Sequence, residues 1–383
     1  MESNDFENIR PYTDEETVEA LDRVSRHPML PVISKYLFPD LPAALLTQSL
    51  RGIRNTNQFQ DEVMLGVIDS VIRRTSAGFS CSGAENLKKV SGCFLAISNH
   101  RDIVLDPALI QYQMSQEGLP YTQICVGSNL LSSRLIEDLM RSNRMIKVIR
   151  GIGARELYLS SQNLSRYIRE TITQGKASIW IAQREGRTKN GHDTTEQGLL
   201  KMFDMSGEGT FEENFRALNI IPMSISYEYE PCDSRKAREV LLRRDGPYVK
   251  KPKEDLHSIL TGIRQQKGHI HLTINAPLTA EEIAEAAHAD KNKNDRYQGI
   301  RHALDRRIIE GYRLWKTNYM AHDLLYGKTE YADAGEYSAA DLNAFEKYIT
   351  HKLGKLERRL DPKALREIFL GIYAGPIDSK KAL

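Results

Sequence analysis

The chain has 383 residues, 40% of them hydrophobic and 27% charged, and a formal net charge of +2. This composition is that of a globular protein able to bury a sizeable core without disulfide or metal staples. It excludes a strongly basic nucleic-acid binder and an acidic disordered chain.

No run reaches the roughly 18 apolar residues that a membrane span needs, so any membrane contact is expected to be peripheral. Cys81, Cys93, Cys125 and Cys232 form no C-x-x-C pair and read as reduced thiols in a reducing compartment. Residues 1–5 lack the basic and apolar regions of a secretory leader. The expected location is cytoplasmic, or peripheral on the inner face of the membrane.

In chain order, Thr13 and Glu16 fit a capping box for a short helix bearing Val18, Leu21 and Val24, ended by Pro28. Residues 29–50 are unusually apolar, and prolines at 31, 39 and 42 break them so that no single long helix forms. That stretch suits packing against a main domain or, alternatively, an interfacial segment touching lipid. Val63, Val67, Ile68, Val71 and Ile72 recur at helical spacing, and 76–83, rich in Gly and Ser, reads as a linker.

Strand-like runs then follow at 93–98, 122–126, 146–150, 177–182 and 219–227, with an amphipathic helix from about 154 to Gly175. Continuous apolar strands between amphipathic helices predict an α/β domain with a largely parallel sheet flanked by helices, and ligands gathered at strand ends. Residues 228–255 read as a polar surface loop with a short helix. A last strand at 269–274 precedes a second capping box, Thr279 with Glu282, and a long helix through Ile300, Leu304 and Ile308. The tail is charged and helical. The expected organisation is an N-terminal helical region (1–80), an α/β domain (81–280) and a C-terminal helical region (281–383).

Two stretches carry chemistry. The first, Ser98-Asn99-His100-Arg101-Asp102-Ile103-Val104-Leu105-Asp106-Pro107, lies between a strand and a helix. A histidine there can take a proton near neutral pH, and a carboxylate can fix its tautomer. Taken alone, such a turn is more often just solvated. The second, Gln183-Arg184-Glu185-Gly186-Arg187-Thr188-Lys189, turns polar abruptly after a strand, and its cations suit a phosphate. Alone it too reads as a basic surface turn.

Other chemistries fail on pattern. No G-x-x-x-x-G-K-[ST] or G-x-S-x-G occurs, and no helical H-E-x-x-H is present. The segment His100-Arg101-Asp102 is like a kinase catalytic loop, but Pro107 stands where that loop needs Asn.

The order of features resembles the glycerolipid acyltransferases of the lysophosphatidic acid acyltransferase type. Asn99-His100 to Asp106-Pro107 looks like that family's N-H-x-x-x-x-D block, and 146–150, ending in Arg150, like its second block. Gln183 to Thr188 looks like the Pro-Glu-Gly-Thr-Arg block, and Ile220-Ile221-Pro222-Met223 like the Pro-containing strand. The resemblance spans about residues 85–280.

Two departures stand out. The position five residues after His100 is Leu105, so either Asp102 or Asp106 is the partner acid, with Asp106 favoured by the Pro107 that follows it. The third block reads Glu-Gly-Arg-Thr, which shifts the phosphate role to Arg187.

The resemblance implies His100 as general base with Asp106 or Asp102 orienting it, and direct acyl transfer from an acyl thioester, acyl-CoA or acyl carrier protein. The acceptor is a hydroxyl of a phosphorylated glycerol-type lipid such as 1-acyl-sn-glycerol-3-phosphate. Arg187, with Arg150 and Lys189, would hold the phosphate. Glu185 would orient an arginine or accept from the acceptor, and Gly186 would permit the turn. No metal or further cofactor is implied, and the expected partners are the lysophospholipid or glycerol phosphate acceptor, the acyl donor and a membrane surface, not nucleic acid. The alternatives are another lysolipid or an amino-acid lipid as acceptor, or a non-catalytic acyl- or phospholipid-binding protein.

Overall fold

The apolar runs in the middle of the chain become strands buried on both faces. The computed structural model describes residues 6–131, 133–244, 246–251, 253–288 and 292–383. Residues 1–5, inspected above for a leader, lie outside these.

Strands β1 (Gly78–Ser82), β2 (Leu95–Ser98), β3 (Gln123–Gly127), β4 (Met145–Val148), β5 (Ile179–Ala182), β6 (Ile220–Tyr227) and β7 (His269–Ile274) form one sheet. Their order is β1-β7-β6-β2-β5-β3-β4. Neighbours run parallel except β6 with β7. The fold is therefore α/β, a mixed and mostly parallel sheet flanked by helices.

Strand β2 sits between β5 and β6 with all its residues buried. Its alternate side chains feed two cores. Leu95 and Ile97 pack with Ile168, Ile179 and Leu304 on one face. Ala96 packs with Leu109, Trp180 and Ile221 on the other. The helix Leu105–Gln116 covers the second face, and Ala154–Thr173 the first. Gly175, just past the latter helix, has φ +69°, the left-handed conformation that a helix end favours.

Two sequence expectations change, and a third, that no single long helix forms over 29–50, holds with one difference at Pro31. The stretch 76–83 is no linker, because Gly78–Ser82 is the edge strand β1, in parallel register with β7 from Gly78↔His269 to Ser82↔Thr273. Its serines have partners across the register: Ser80 and Ser82 bond the two ring nitrogens of His271 at 2.8 and 3.0 Å.

Residues 29–50 form two helices, Leu30–Leu37 and Ala43–Gly52. Pro31 does not interrupt the first but sits in its opening turn, where a missing N–H costs nothing, and Pro42 caps the second.

Residues 228–255 are not merely a surface loop. The helix Asp233–Arg244 buries Asp233, Lys236, Ala237 and Glu239. Helices Lys316–Tyr326, Ala339–Leu353 and Pro362–Lys381 close over it with a core of Met320, Phe345, Phe369 and Tyr373. The charged tail thus hides an apolar face.

Lys267, just before β7, is fully buried, its ammonium bonded to Thr75 Oγ1 at 2.8 Å and to the Gln265 carbonyl at 2.6 Å. Burial lowers it to about 8, with Asp102 pulling the other way. A solvated lysine titrates near ~10.4, so between these values the unfolded chain binds the extra proton and stability rises with pH. The expected gain is on the order of 3 kcal/mol from about pH 8 to about pH 10.5. Burial pushes the thiols of Cys81 and Cys125 up to about 12, which lowers stability over the same window. Chemical denaturation should therefore show the Lys267 gain as a growing difference between the native chain and Lys267→Met.

Candidate active site

His100 lies just past the end of β2, and Asp106 in the first turn of the helix Leu105–Gln116. The histidine is thus held outside the helix and the acid inside it. The Asp106 carboxylate is fully buried and accepts four hydrogen bonds. Oδ2 takes His100 Nδ1 at 2.9 Å and the backbone N–H groups of Arg101 and Asp102 at 2.6 and 2.8 Å. Oδ1 takes the Tyr227 hydroxyl at 2.8 Å. A buried carboxylate needs such donors, since its lone pairs have no water.

Of the two acids, Asp106 is the one that pairs with His100. Asp102 turns away and accepts from the N–H groups of Val104 and Leu105, both at 2.9 Å, satisfying donors at the helix start. With a carboxylate accepting at Nδ1, the ring carries its proton there and keeps a lone pair on Nε2. The ring lines a cavity, and its Nε2 has no hydrogen-bond partner among the described residues. Trp180 stands edge-on beside it, ring centroids 6.1 Å apart.

The segment after β5 returns to this turn. Thr188 N–H donates to the His100 carbonyl at 2.8 Å. Gly186 has φ +69°, a conformation in which a side chain would be strained. Arg187 follows it, 8% exposed and lining the same cavity as His100. Its Nη1 is buried without a hydrogen-bond partner, and no carboxylate pairs with it among the described residues. Cys232 lies beside this guanidinium. Burial pushes the thiol up, and Arg187 opposes the rise.

The remaining polar candidates line the same cavity in different states. Arg150 Nη1 meets Glu185 at 3.2 Å, with Glu185 largely exposed. An ion pair so solvated holds its partners weakly. Lys189 is committed elsewhere: its ammonium meets Glu239 at 2.5 Å, and Glu239 also binds Arg243 at 2.7 Å. It is therefore not the free phosphate ligand that its position in the motif suggested. Arg184, one of the motif's cations expected to suit a phosphate, lines the cavity too, with its Nε unpartnered.

The cavity measures about 530 Å³. His100 and the arginines line it together with apolar residues of the N-terminal helices, including Leu30, Ile33, Leu46, Phe59 and Val63. The backbone there departs from regular helix, with a π-helical segment at Gln60–Met64 between Thr56–Phe59 and Leu65–Thr75. Such bulges re-aim side chains and recur at functional sites.

Behind the turn lies a set of buried charges that the sequence reading missed. Arg101 is 1% exposed, and its guanidinium donates to Asp193 at 2.5 Å and to the Gly191 carbonyl at 3.1 Å. It also lies 3.5 Å from Glu230 and 4.8 Å from the centroid of the Tyr312 ring. Lys236 joins Glu230 at 2.6 Å to the Arg101 carbonyl at 2.7 Å. Asn99 clamps Ile225 through both backbone groups and also donates to Asp193 at 3.0 Å. Tyr227 and Asp193 follow the blocks that sequence singled out, and only their polar character in a buried setting could have marked them.

Among the described residues, no group of three or more His, Cys, Asp or Glu is placed to hold a metal ion, and no helix is long and apolar enough to cross a membrane. Residues 78–226 match the family model described as acyltransferase. Among solved structures, the chain is similar to the crystal structure of the 1-acyl-sn-glycerophosphate (LPA) acyltransferase, PlsC, from Thermotoga maritima. The identity is 12% over 78% of this chain and 97% of that one, with a TM-score of 0.39. A search of the curated proteins finds no match.

Tyr227→Phe removes one donor from the fully buried Asp106. The unpaired lone pair should cost about 1–3 kcal/mol. Urea denaturation should show a lower midpoint with an unchanged slope. An unshifted midpoint would mean that the phenol contributes nothing to holding the carboxylate.

Proposed function

From an acyltransferase, its family domain spanning residues 78–226, we propose an enzyme that moves a fatty acyl group from an acyl thioester to a hydroxyl of a phosphorylated glycerol-type lipid, such as 1-acyl-sn-glycerol-3-phosphate. One observation carries this reading. A His–Asp dyad and a buried guanidinium without a carboxylate share one cavity with the apolar side chains of the N-terminal helices. A basic group, an anion site and a chain-sized apolar channel match a phosphorylated lipid with a reacting hydroxyl between its two halves.

In the proposed reaction, His100 Nε2 takes the proton of the acceptor hydroxyl as that oxygen attacks the thioester carbonyl. Asp106 holds the ring in the tautomer that leaves Nε2 free and stabilises the imidazolium. The tetrahedral intermediate then expels the thiolate, which takes the proton from His100. One C–O bond forms, one C–S bond breaks, and the products are an ester and a free thiol. Thiols have pKa values near ~8.5, so the thiolate leaves without a protein nucleophile and direct transfer suffices. Arg187 grips the acceptor's phosphate, with Arg150 exchanging from Glu185 to assist. Holding the phosphate converts a collision into a fixed near-attack geometry.

The three parts of the chain then divide the work. The α/β region 81–280 carries the chemistry and the helical region 281–383 braces it from behind. The helices of 1–80 wall the apolar channel and meet the membrane. Their inward residues, Leu30, Ile33 and Leu46, line the cavity, while Met29, Val32, Leu41 and Leu45 are about half exposed on the outside. Apolar side chains on both faces suit an element set between a lipid site and a lipid surface.

His100→Ala should lower transfer by roughly 10²- to 10⁴-fold while the thermal transition persists. Thiol release from acyl-CoA in the presence of lysophosphatidic acid is the readout, and an unchanged rate would remove the mechanism. Arg187→Ala should raise KM for phosphorylated acceptors by about tenfold or more, in line with loss of a charge-assisted bond, and act little on phosphate-free ones. Equal effects on both acceptor classes would take Arg187 out of phosphate binding.

A further inference from the structure

Between β6 and β7, outside the residues matched to the acyltransferase family, runs a segment that the proposed chemistry does not use. Arg243, Arg244, Lys250, Lys251 and Lys253 crowd into it and are all exposed. Arg243 pairs with Glu239 at 2.7 Å, and Lys250 with Asp255 at 2.6 Å. Arg244, Lys251 and Lys253 have no ion pair among the described residues, Asp245 lying outside these. Set among these cations, Val249 is 82% exposed, and Leu256 is 45% exposed. An apolar side chain exposed singly is ordinary; here it is the company of the cations that matters, since apolar tips set among basic residues are the pattern of an interfacial segment.

The position of the segment says which interface. Its inward residues Lys250, Asp255 and Ile259 line the catalytic cavity. Its helix, Glu254–Arg264, lies against Leu30–Leu37: the Tyr36 hydroxyl donates to the Leu260 carbonyl at 2.7 Å, and the Arg264 guanidinium stands 3.9 Å over the Tyr36 ring. The helix it lies against also bears the exposed apolar residue Val32, with Met29 just before it.

We propose that Arg244, Val249, Lys251, Lys253 and Leu256 form a cationic, apolar-tipped contact with an anionic lipid bilayer. The contact sets the cavity mouth on the membrane and favours negatively charged surfaces. It rests on the lipid-acyltransferase reading above. An acidic protein partner would account for the cations alone. A bilayer accounts for the cations and for Val249 and Leu256 together, since its headgroup layer takes charge and the boundary beneath it takes apolar tips.

The test is cosedimentation of the whole chain with vesicles of phosphatidylcholine alone or mixed with phosphatidylglycerol. Binding should favour the mixed vesicles and fall away in high salt, which screens surface charge. Each cation removed should cost about fivefold, so Arg244→Gln, Lys251→Gln and Lys253→Gln combined should weaken binding to mixed vesicles on the order of a hundredfold. Acyl transfer to a short-chain, water-soluble lysolipid should stay unchanged in that variant. Val249→Asp should weaken binding to both kinds of vesicle. Undiminished vesicle binding by the triple variant, or binding indifferent to salt, would overturn the contact. So would loss of affinity for an acidic acyl carrier protein with vesicle binding intact. If the native chain binds vesicles as expected but acylates no soluble lysolipid, the enzymatic reading falls and the docking face stands.

Discussion

The arrangement depends on one buried carboxylate. Asp106 has no water contact, and four donors reach it from three places: the backbone just after His100, the His100 ring and the end of β6. Each bond is worth only about 1 kcal/mol net, but leaving any one unmade on a buried oxygen costs more than making it gains. That asymmetry locks the turn. The backbone of Arg101 and Asp102 cannot swing away without orphaning the carboxylate, so His100, the residue before them, is fixed as well. The position of the imidazole thus follows from satisfying an acid, with no need for the ring itself to be packed tightly.

The turn is held again from behind, and here the regions of the chain beyond the sheet matter. Arg101 is nearly without solvent contact, and removing an ionic partner from so dry a site is strongly destabilising. Its partners come from the arginine-bearing segment, through Gly191 and Asp193, and from beyond β6, through Glu230. Lys236 closes the set onto the Arg101 carbonyl. The helix Pro362–Lys381 completes the support by close backbone approach. A side chain on Gly191 would meet the Ile372 carbonyl at 2.5 Å, and one on Gly375 would meet the Asn190 carbonyl at 2.5 Å. Glycine is required at both places because two backbones touch there. The charged C-terminal tail is in this sense part of the mounting of the His100 turn.

Much of this was legible in sequence where the signal was periodic or local. Continuous apolar runs marked six of the seven strands to within a few residues, and β7 at both of its ends. The capping boxes at Thr13 and Thr279 form as their spacing implies. The hidden parts are those whose reason lies far along the chain. Gly78–Ser82 looks like a linker because its small polar residues have no apolar pattern, yet a histidine nearly two hundred residues away supplies their partners. Lys189 looks like a phosphate ligand by its motif and is taken by Glu239, on a helix that composition presented as solvated. Tyr227 looks like one more apolar strand residue, and only the folded register turns its hydroxyl into a donor for Asp106. The choice between Asp102 and Asp106 could not come from spacing, since both lie within reach of His100 and backbone geometry alone separates a cap from a partner.

The charges around the cavity are not treated alike, and the difference argues for a missing anion. Lys189 and Arg150 each have a carboxylate, and buried Arg101 has two within reach. Arg187 is more buried than Lys189 or Arg150 and faces the same cavity, yet its Nη1 donates to nothing. A buried guanidinium held without a counter-charge is costly, and a fold selected for stability alone would supply an acid as it did for its neighbours. The cost falls away once an anion enters from the cavity. Gly186 fixes the backbone that aims the side chain there, and Thr188, in turn, ties that backbone to the residue bearing the imidazole. The unsatisfied donor and the free imidazole nitrogen thus sit on two segments, the turns after β2 and β5, tied to each other by the Thr188–His100 hydrogen bond and facing one cavity, as the proposed pairing of base and anion site requires.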